Sequence, residues 1–166
     1  NRIPLIAPRA NHNLVLAVCQ SESPTFGILP LMEGADPTRE PAEAEFWFER
    51  GVRIVGPAWL AGSRYAGGNA APGPLTDEGR ELLEVLADLG VILDLSHLAD
   101  ESFFEAVDRF EGWVVATHTN PRARVPGNRQ LSDAVIRRPA ERDGVVGIVR
   151  YNRFLRPGWA KSDPKK

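Results

Sequence analysis

One cysteine, Cys19, is all the thiol chemistry available to this chain, so no intramolecular disulfide can form. Its neighbours Val15, Leu16, Ala17 and Val18 are apolar, and the thiol is expected to be buried and structural rather than reactive. Excess charge of either sign is also lacking: 20 basic and 22 acidic side chains mix along 166 residues, for a net charge of −2. That balance offers nucleic acid no electrostatic footprint and leaves small molecules or peptides as fitting partners. No uninterrupted apolar run approaches the roughly 20 residues needed to span a bilayer, and the opening NRIPLIAPRANHN has neither the basic start nor the cleavage region of a signal peptide. A cytoplasmic protein without a membrane partner is the expectation. Nucleotide-binding loops are missing too, since no G-x-G-x-x-G follows an apolar run and no G-x-x-x-x-G-K-[ST] occurs.

What remains is a composition of 43% hydrophobic and 25% charged residues, enough to bury one sizeable core. Five short apolar runs stand out: GILPLME (27–33), VRIVGPAW (52–59), VILDLSH (91–97), WVVATH (113–118) and VVGIVRY (145–151). Each is strand-sized and rich in β-branched or large apolar residues. Amphipathic stretches separate them. In TDEGRELLEVLADLG, Leu82, Leu83, Leu86 and Leu89 form one helical stripe, with Thr76 placed to cap the start and Gly90 to end it. DESFFEAVDRFEG repeats the design with Phe103, Phe104, Val107 and Phe110, Asp100 as the expected N-cap and Gly112 as the stop. EAEFWFER and SDAVIRRPAERDG are weaker helical signals, the second interrupted by Pro139. Strands alternating with helices predict βαβ units and a parallel sheet, for which a Rossmann-like sheet and a (β/α)₈ barrel both fit. YAGGNAAPGP (65–74) reads either as a long loop over a site or as a disordered surface loop. The segment NLVLAVCQ fits a strand or a helical piece, His12 is expected to be exposed, and the tail KSDPKK to be solvated.

Two of the runs end on histidine and one on glutamate. Alternation along a strand places His97 with Leu95 and Leu93, His118 with Ala116 and Val114, and Glu33 with Leu31 and Leu29. In parallel α/β architectures the carboxyl ends of the strands carry the site. Two imidazoles and a carboxylate gathered there match the ligand set of a catalytic zinc with a position open for water. The spacing alone has none of the compactness of a helical H-E-x-x-H, and hydrogen-bonded core histidines or acid–base groups fit it as well.

The blocks LMEGAD, ERGVRIVGPAW, PLTDEGRELLEVLADLGVILDLSHLADESFFEAV, WVVATHTNPRA and NRQLSD…GVVGIVRYNRFL resemble consecutive parts of the membrane dipeptidase, or renal dipeptidase, family of zinc peptidases in the amidohydrolase superfamily. The resemblance covers about residues 26–158. It implies a TIM barrel, (β/α)₈, of the metal-dependent hydrolase type, here as a segment of about five parallel strands with covering helices, and two zinc ions acting on dipeptides. By this resemblance Glu33 is the carboxylate that bridges the two metals in the catalytic centre, and His97 and His118 hold the second metal. Arg129 would bind the substrate's terminal carboxylate, a task suited to a planar guanidinium, although a surface arginine fits the sequence equally. Tyr151 would line the substrate pocket. Asp94, of opposite parity to His97, is expected to be structural or to accept a hydrogen bond behind the ligands.

Three departures qualify the resemblance. No H-x-D pair, which in the family holds the first metal, occurs anywhere in the chain, so ligands for one ion are recognisable. The family's downstream aspartate block is also absent. Trp59 stands where many members carry a substrate-contacting histidine. A barrel of this type takes about 250 residues, and five strands cannot close one. The chain is therefore expected to be a single incomplete domain over 1–166, the middle of a longer polypeptide, with open sheet edges that favour self-association. Two rival readings stand beside a dipeptidase: a non-catalytic remnant of such a barrel, and a relative acting on a lactone or non-peptide amide, which Trp59 and the YAGGN loop would suit.

Overall fold

The computed structural model describes residues 28–159. The expectations for His12, Cys19, the segment around it and the KSDPKK tail lie outside the described residues. Five strands alternate with helices: β1 (Leu31–Glu33), α1 (Ala44–Glu49), β2 (Ile54–Gly56), α2 (Asp77–Asp88), β3 (Ile92–Asp94), α3 (Asp100–Arg109), β4 (Val114–Thr119), α4 (Asp133–Ala140), β5 (Val145–Ile148) and α5 (Asn152–Leu155). All neighbours pair in parallel in the order β1-β2-β3-β4-β5. That singly wound order, with each strand beside the next in sequence, belongs to a barrel rather than to a sheet that reverses direction midway.

Register sorts the side chains by face. Met32 pairs with Val55, Val55 with Leu93 and Leu93 with Val114, a row whose last three members are at most 5% exposed and join the core with Leu82, Leu86 and Phe103 of the helices. The alternate row runs through Glu33, Gly56, Asp94 and Val115. It carries Glu33 and Asp94.

The two strong helices form where their stripes dictate. Thr76 Oγ1 accepts a hydrogen bond from Gly79 N at 3.0 Å, and Leu82, Leu83 and Leu86 are buried under α2. Each such leucine contributes roughly 1.5–3 kcal/mol by leaving water. Gly90, with φ +69, supplies the left-handed turn that ends the helix. Asp100 does not cap α3. Ala99 is the N-cap, and Asp100 is the first helical residue, where its carboxylate receives a two-pronged ion pair from Arg122 at 2.7 and 2.9 Å. Pro139 sits at the penultimate position of α4, where only the last turn loses a donor, and Ser132 caps the start through Val135 N.

The strands are shorter than the apolar runs. Pro57 has no N–H to extend β2, and β3 ends at Asp94: Leu95 N still donates to Val115 O at 2.7 Å, but Ser96 N turns back to the Asp94 side chain at 3.0 Å. Consequently His97 is not a strand residue sharing a face with Leu95. It occupies a turn, with φ +70. Tyr151 likewise lies past β5, as the N-cap of α5. Among the described residues β1 and β5 each have one strand neighbour, and Ile28, Leu31, Val145 and Ile148 are exposed. No helix among the described residues is long and apolar enough to cross a membrane.

Candidate metal centre

Glu33 ends β1, and Gly34 at φ +83 turns the chain away so closely beneath Trp59 that an added Cβ would lie 3.2 Å from the Trp59 Cβ. His118 comes from β4, within a stretch where the register with β5 shifts between Ala116 and Thr119. His97 arrives from the left-handed turn after β3. The three side chains meet at the carboxyl ends of the strands: Glu33 Oε1 is 2.7 Å from His118 Nε2 and 3.1 Å from His97 Nε2, and the two Nε2 atoms are 3.1 Å apart.

The outer ring nitrogens decide what this triangle can hold. His97 Nδ1 lies 2.8 Å from Asn69 Oδ1, which can only accept, so the imidazole proton belongs on Nδ1. His118 Nδ1 lies 2.7 Å from Thr117 Oγ1, whose own hydrogen goes to Asp94 Oδ2 at 2.5 Å. The hydroxyl oxygen therefore accepts from His118 Nδ1–H. With a proton on each Nδ1, the Nε2 lone pairs face one carboxylate oxygen. Three acceptors in mutual contact repel one another unless a cation sits between them. Tetrahedral ligands about 2.0–2.2 Å from an ion stand roughly 3.3–3.6 Å apart, so a small opening of this triangle seats a zinc-class ion. Burial, the nearby Arg129 charge and the His118 ring push the His97 imidazole down to about 4, which keeps it neutral and ligand-competent at neutral pH.

Asp94 is buried and fully employed. Oδ1 accepts from Ser96 N and Thr117 N, both at 3.0 Å, in addition to the Thr117 hydroxyl bond on Oδ2. Ser96 Oγ accepts from His118 N at 3.2 Å. The two histidine-bearing segments are thus stitched together by the residues that precede each imidazole.

The remaining predicted residues fall at different distances. Trp59 is half exposed, with its ring 6.2 Å from that of His97. Arg129 donates from Nη2 to His118 O at 2.6 Å, while its Nη1 is buried with no partner. Burial lowers the pKa of the guanidinium, and the charges of Glu33 and Asp94 oppose that shift. Its Cζ lies 5.4 Å from the centre of the Phe154 ring, which Tyr151 meets edge-on at 5.2 Å. Tyr151, half exposed, thus packs on the ring that faces Arg129. Asn120 places that aromatic pair, donating to Val149 O and Phe154 O and accepting from Val149 N. Asn69, Thr117, Asn120 and Phe154 were not singled out from the sequence. The GGN tripeptide inside the loop between β2 and α2 was the available signal for Asn69.

A parallel barrel segment with a carboxylate and two imidazoles at its carboxyl rim defines the class: a metal-dependent hydrolase fold. The chain belongs to the membrane dipeptidase family, peptidase family M19, which matches residues 17–165. An uncharacterized protein of the PQQ-III 3′ region of Acinetobacter calcoaceticus is 32% identical over 147 residues, covering 83% of this chain and 46% of that protein. The probable dipeptidase PvdM from Pseudomonas aeruginosa superposes with a TM-score of 0.76 at 28% identity, over 80% of this chain and 36% of its own. A metallo peptidase from Rhodobacter sphaeroides, solved with a phosphinate mimic of the dipeptide L-Ala-D-Ala, gives a TM-score of 0.71 at 32% identity, over 77% and 39%. The chain spans less than half the length of each.

Proposed function

We propose that this segment supplies the metal-binding rim of a zinc-dependent dipeptidase, with Glu33, His97 and His118 as ligands. The observation that carries the reading is the convergence of one carboxylate oxygen and two Nε2 lone pairs within 3.1 Å of one another. A zinc-class ion held there would acidify a water and polarise the scissile carbonyl. The chain's own residues do the rest. Asn69 and the Thr117–Asp94 pair keep the ring protons on Nδ1, so the ligand atoms stay bare. Arg129, cationic beside the triad, is the group placed to bind a substrate carboxylate, and its unpartnered Nη1 has a hydrogen bond still to give. Trp59, its ring 6.2 Å from that of His97, is proposed as a substrate-contacting wall on that side. A dipeptide is the proposed substrate, supported by the L-Ala-D-Ala mimic on the Rhodobacter sphaeroides relative. Tyr151 is proposed as an outer pocket wall.

The chain contains no H-x-D pair, so we assign it a single ion and expect little or no dipeptide hydrolysis from it. Trp59 favours a second reading, a lactone or non-peptide amide as substrate, because a half-exposed indole offers an apolar surface and one N–H rather than an imidazole. Zinc titration of the metal-free chain, with dipeptide, lactone and amide assays run in parallel, tests the proposal. One equivalent bound, and lost in His97→Ala and His118→Ala, is the expected result. Zinc uptake unchanged in both variants would overturn it.

A further inference from the structure

Residues 57–75 connect β2 to α2 as an ordered loop, which settles the two readings of YAGGNAAPGP. Tyr65 is buried and donates its hydroxyl to Thr38 O at 2.6 Å, and the backbone is folded on itself by Gly67 N to Pro74 O and Ala70 N to Leu60 O. Gly68 passes so close to its neighbours that an added Cβ would meet Trp59 O at 2.4 Å and Gly62 N at 2.3 Å. The next residue, Asn69, is 8% exposed and grips His97 twice: its N–H donates to His97 O at 2.9 Å and its Oδ1 faces His97 Nδ1 at 2.8 Å. His97 itself sits at φ +70, a conformation that disfavours side chains with a Cβ by roughly 1–2 kcal/mol. The turn is closed by Leu98 N to Leu95 O at 3.4 Å, and the loop adds its grip from outside.

We propose that Asn69 is the positioning residue that fixes His97 as its Nδ1–H tautomer and so sets how tightly the Glu33–His97–His118 site binds a divalent cation. The inference rests on the metal reading of that site. A neutral imidazole has one N–H, and an amide oxygen can only accept, so Oδ1 retains the proton on Nδ1 and leaves the Nε2 lone pair toward Glu33 and His118. Without the amide the proton is free to move to Nε2, where it blocks the ligand atom. The His97 side chain is only 9% exposed, so water does not readily take the amide's place. An aspartate at position 69 keeps the shape and the acceptor, and a carboxylate there makes the ring a stronger base.

The test uses the chain labelled with ¹⁵N in histidine, as wild type, Asn69→Ala and Asn69→Asp. Long-range nitrogen–proton spectra of the metal-free proteins read the His97 tautomer, and cobalt titration read by its visible spectrum gives the affinity. In the wild type His97 shows the Nδ1–H pattern. Asn69→Ala shows a mixture of tautomers and binds cobalt about 10- to 100-fold more weakly. Asn69→Asp restores the Nδ1–H pattern and the affinity. An Asn69→Ala chain that keeps both the tautomer and the affinity overturns the proposal, as does a folded Asn69→Asp chain that has lost both. Backbone amide spectra establish folding, and if the alanine variant unfolds, the aspartate variant decides. A wild type that takes up no cobalt contradicts the metal reading, while the tautomer comparison still judges Asn69.

Discussion

Two ring protons control the chemistry of the site. The one on His118 Nδ1 reaches Asp94 through the Thr117 hydroxyl, so a buried carboxylate is felt at Nε2 without touching the ring. Thr117→Val keeps the shape and removes the hydroxyl. It should weaken cobalt binding about 10- to 100-fold and destabilise the chain by about 1–3 kcal/mol, because Asp94 Oδ2 is left without a donor. Cobalt titration and urea unfolding of the same preparation check the pair of effects. At this scale the sequence was informative about the three side chains that converge and poor about their supports. Glu33, His97 and His118 announce themselves as polar ends of apolar runs. Asp94 was legible as an acceptor behind them. Thr117 and Asn69 were not, because one acts by facing a neighbouring strand and the other by a loop closing across 28 residues of sequence. The route of His97 was also misjudged, since a left-handed turn rather than strand alternation delivers its ring.

Helices were read from the sequence more accurately than strands, and the reason is physical. The leucine stripe and Thr76 determine α2 locally, whereas the ends of the strands depend on Pro57 and on Asp94 taking the Ser96 amide. Packing of α2 on the sheet makes Leu86, fully buried, the most direct probe of this layer: Leu86→Ala should cost about 2–5 kcal/mol in urea unfolding. On the outer surface Glu105 of α3 receives Arg80 of α2 at 2.6 Å and Arg109 at 2.8 Å. Hydrogen bonding from Arg80 is the main cause that lowers the Glu105 pKa from the usual carboxylate value. A carboxylate that ionises more readily when folded stabilises the fold above its unfolded pKa, and that contribution is lost as pH falls through the folded value. Unfolding midpoints measured from neutral pH down through the carboxylate range should therefore fall less in Glu105→Gln than in the wild type. An equal fall in both would remove Glu105 from the account. The loop between β2 and α2 is the element that sequence left ambiguous. Gly68→Ala should disturb it by overpacking against Trp59 O, at a cost of about 1–3 kcal/mol, with loss of cobalt affinity through Asn69.

For the whole molecule, the sheet has helices packed on one of its faces and single-neighbour strands at both ends among the described residues. Parallel sheets are stable when both faces are covered, and unpaired edges recruit other strands. The chain spans less than half of the relatives it matches. On its own it should therefore self-associate in sedimentation velocity, and Val145→Lys with Ile148→Lys on the exposed β5 edge should shift it toward monomer. A well-behaved monomer without those changes would contradict the open-edge description. The barrel class was legible from the strand–helix cadence together with the motif blocks, while the singly wound order needed coordinates to distinguish it from a Rossmann-like sheet. The central claim is that one carboxylate and two imidazoles at the carboxyl rim form a cation site. Anomalous diffraction at the zinc edge, from crystals of the chain grown with zinc, tests it most directly. The account predicts an ion about 2.0–2.2 Å from Glu33 Oε1, His97 Nε2 and His118 Nε2. A zinc peak held by other residues, with these three still in mutual contact, would contradict it.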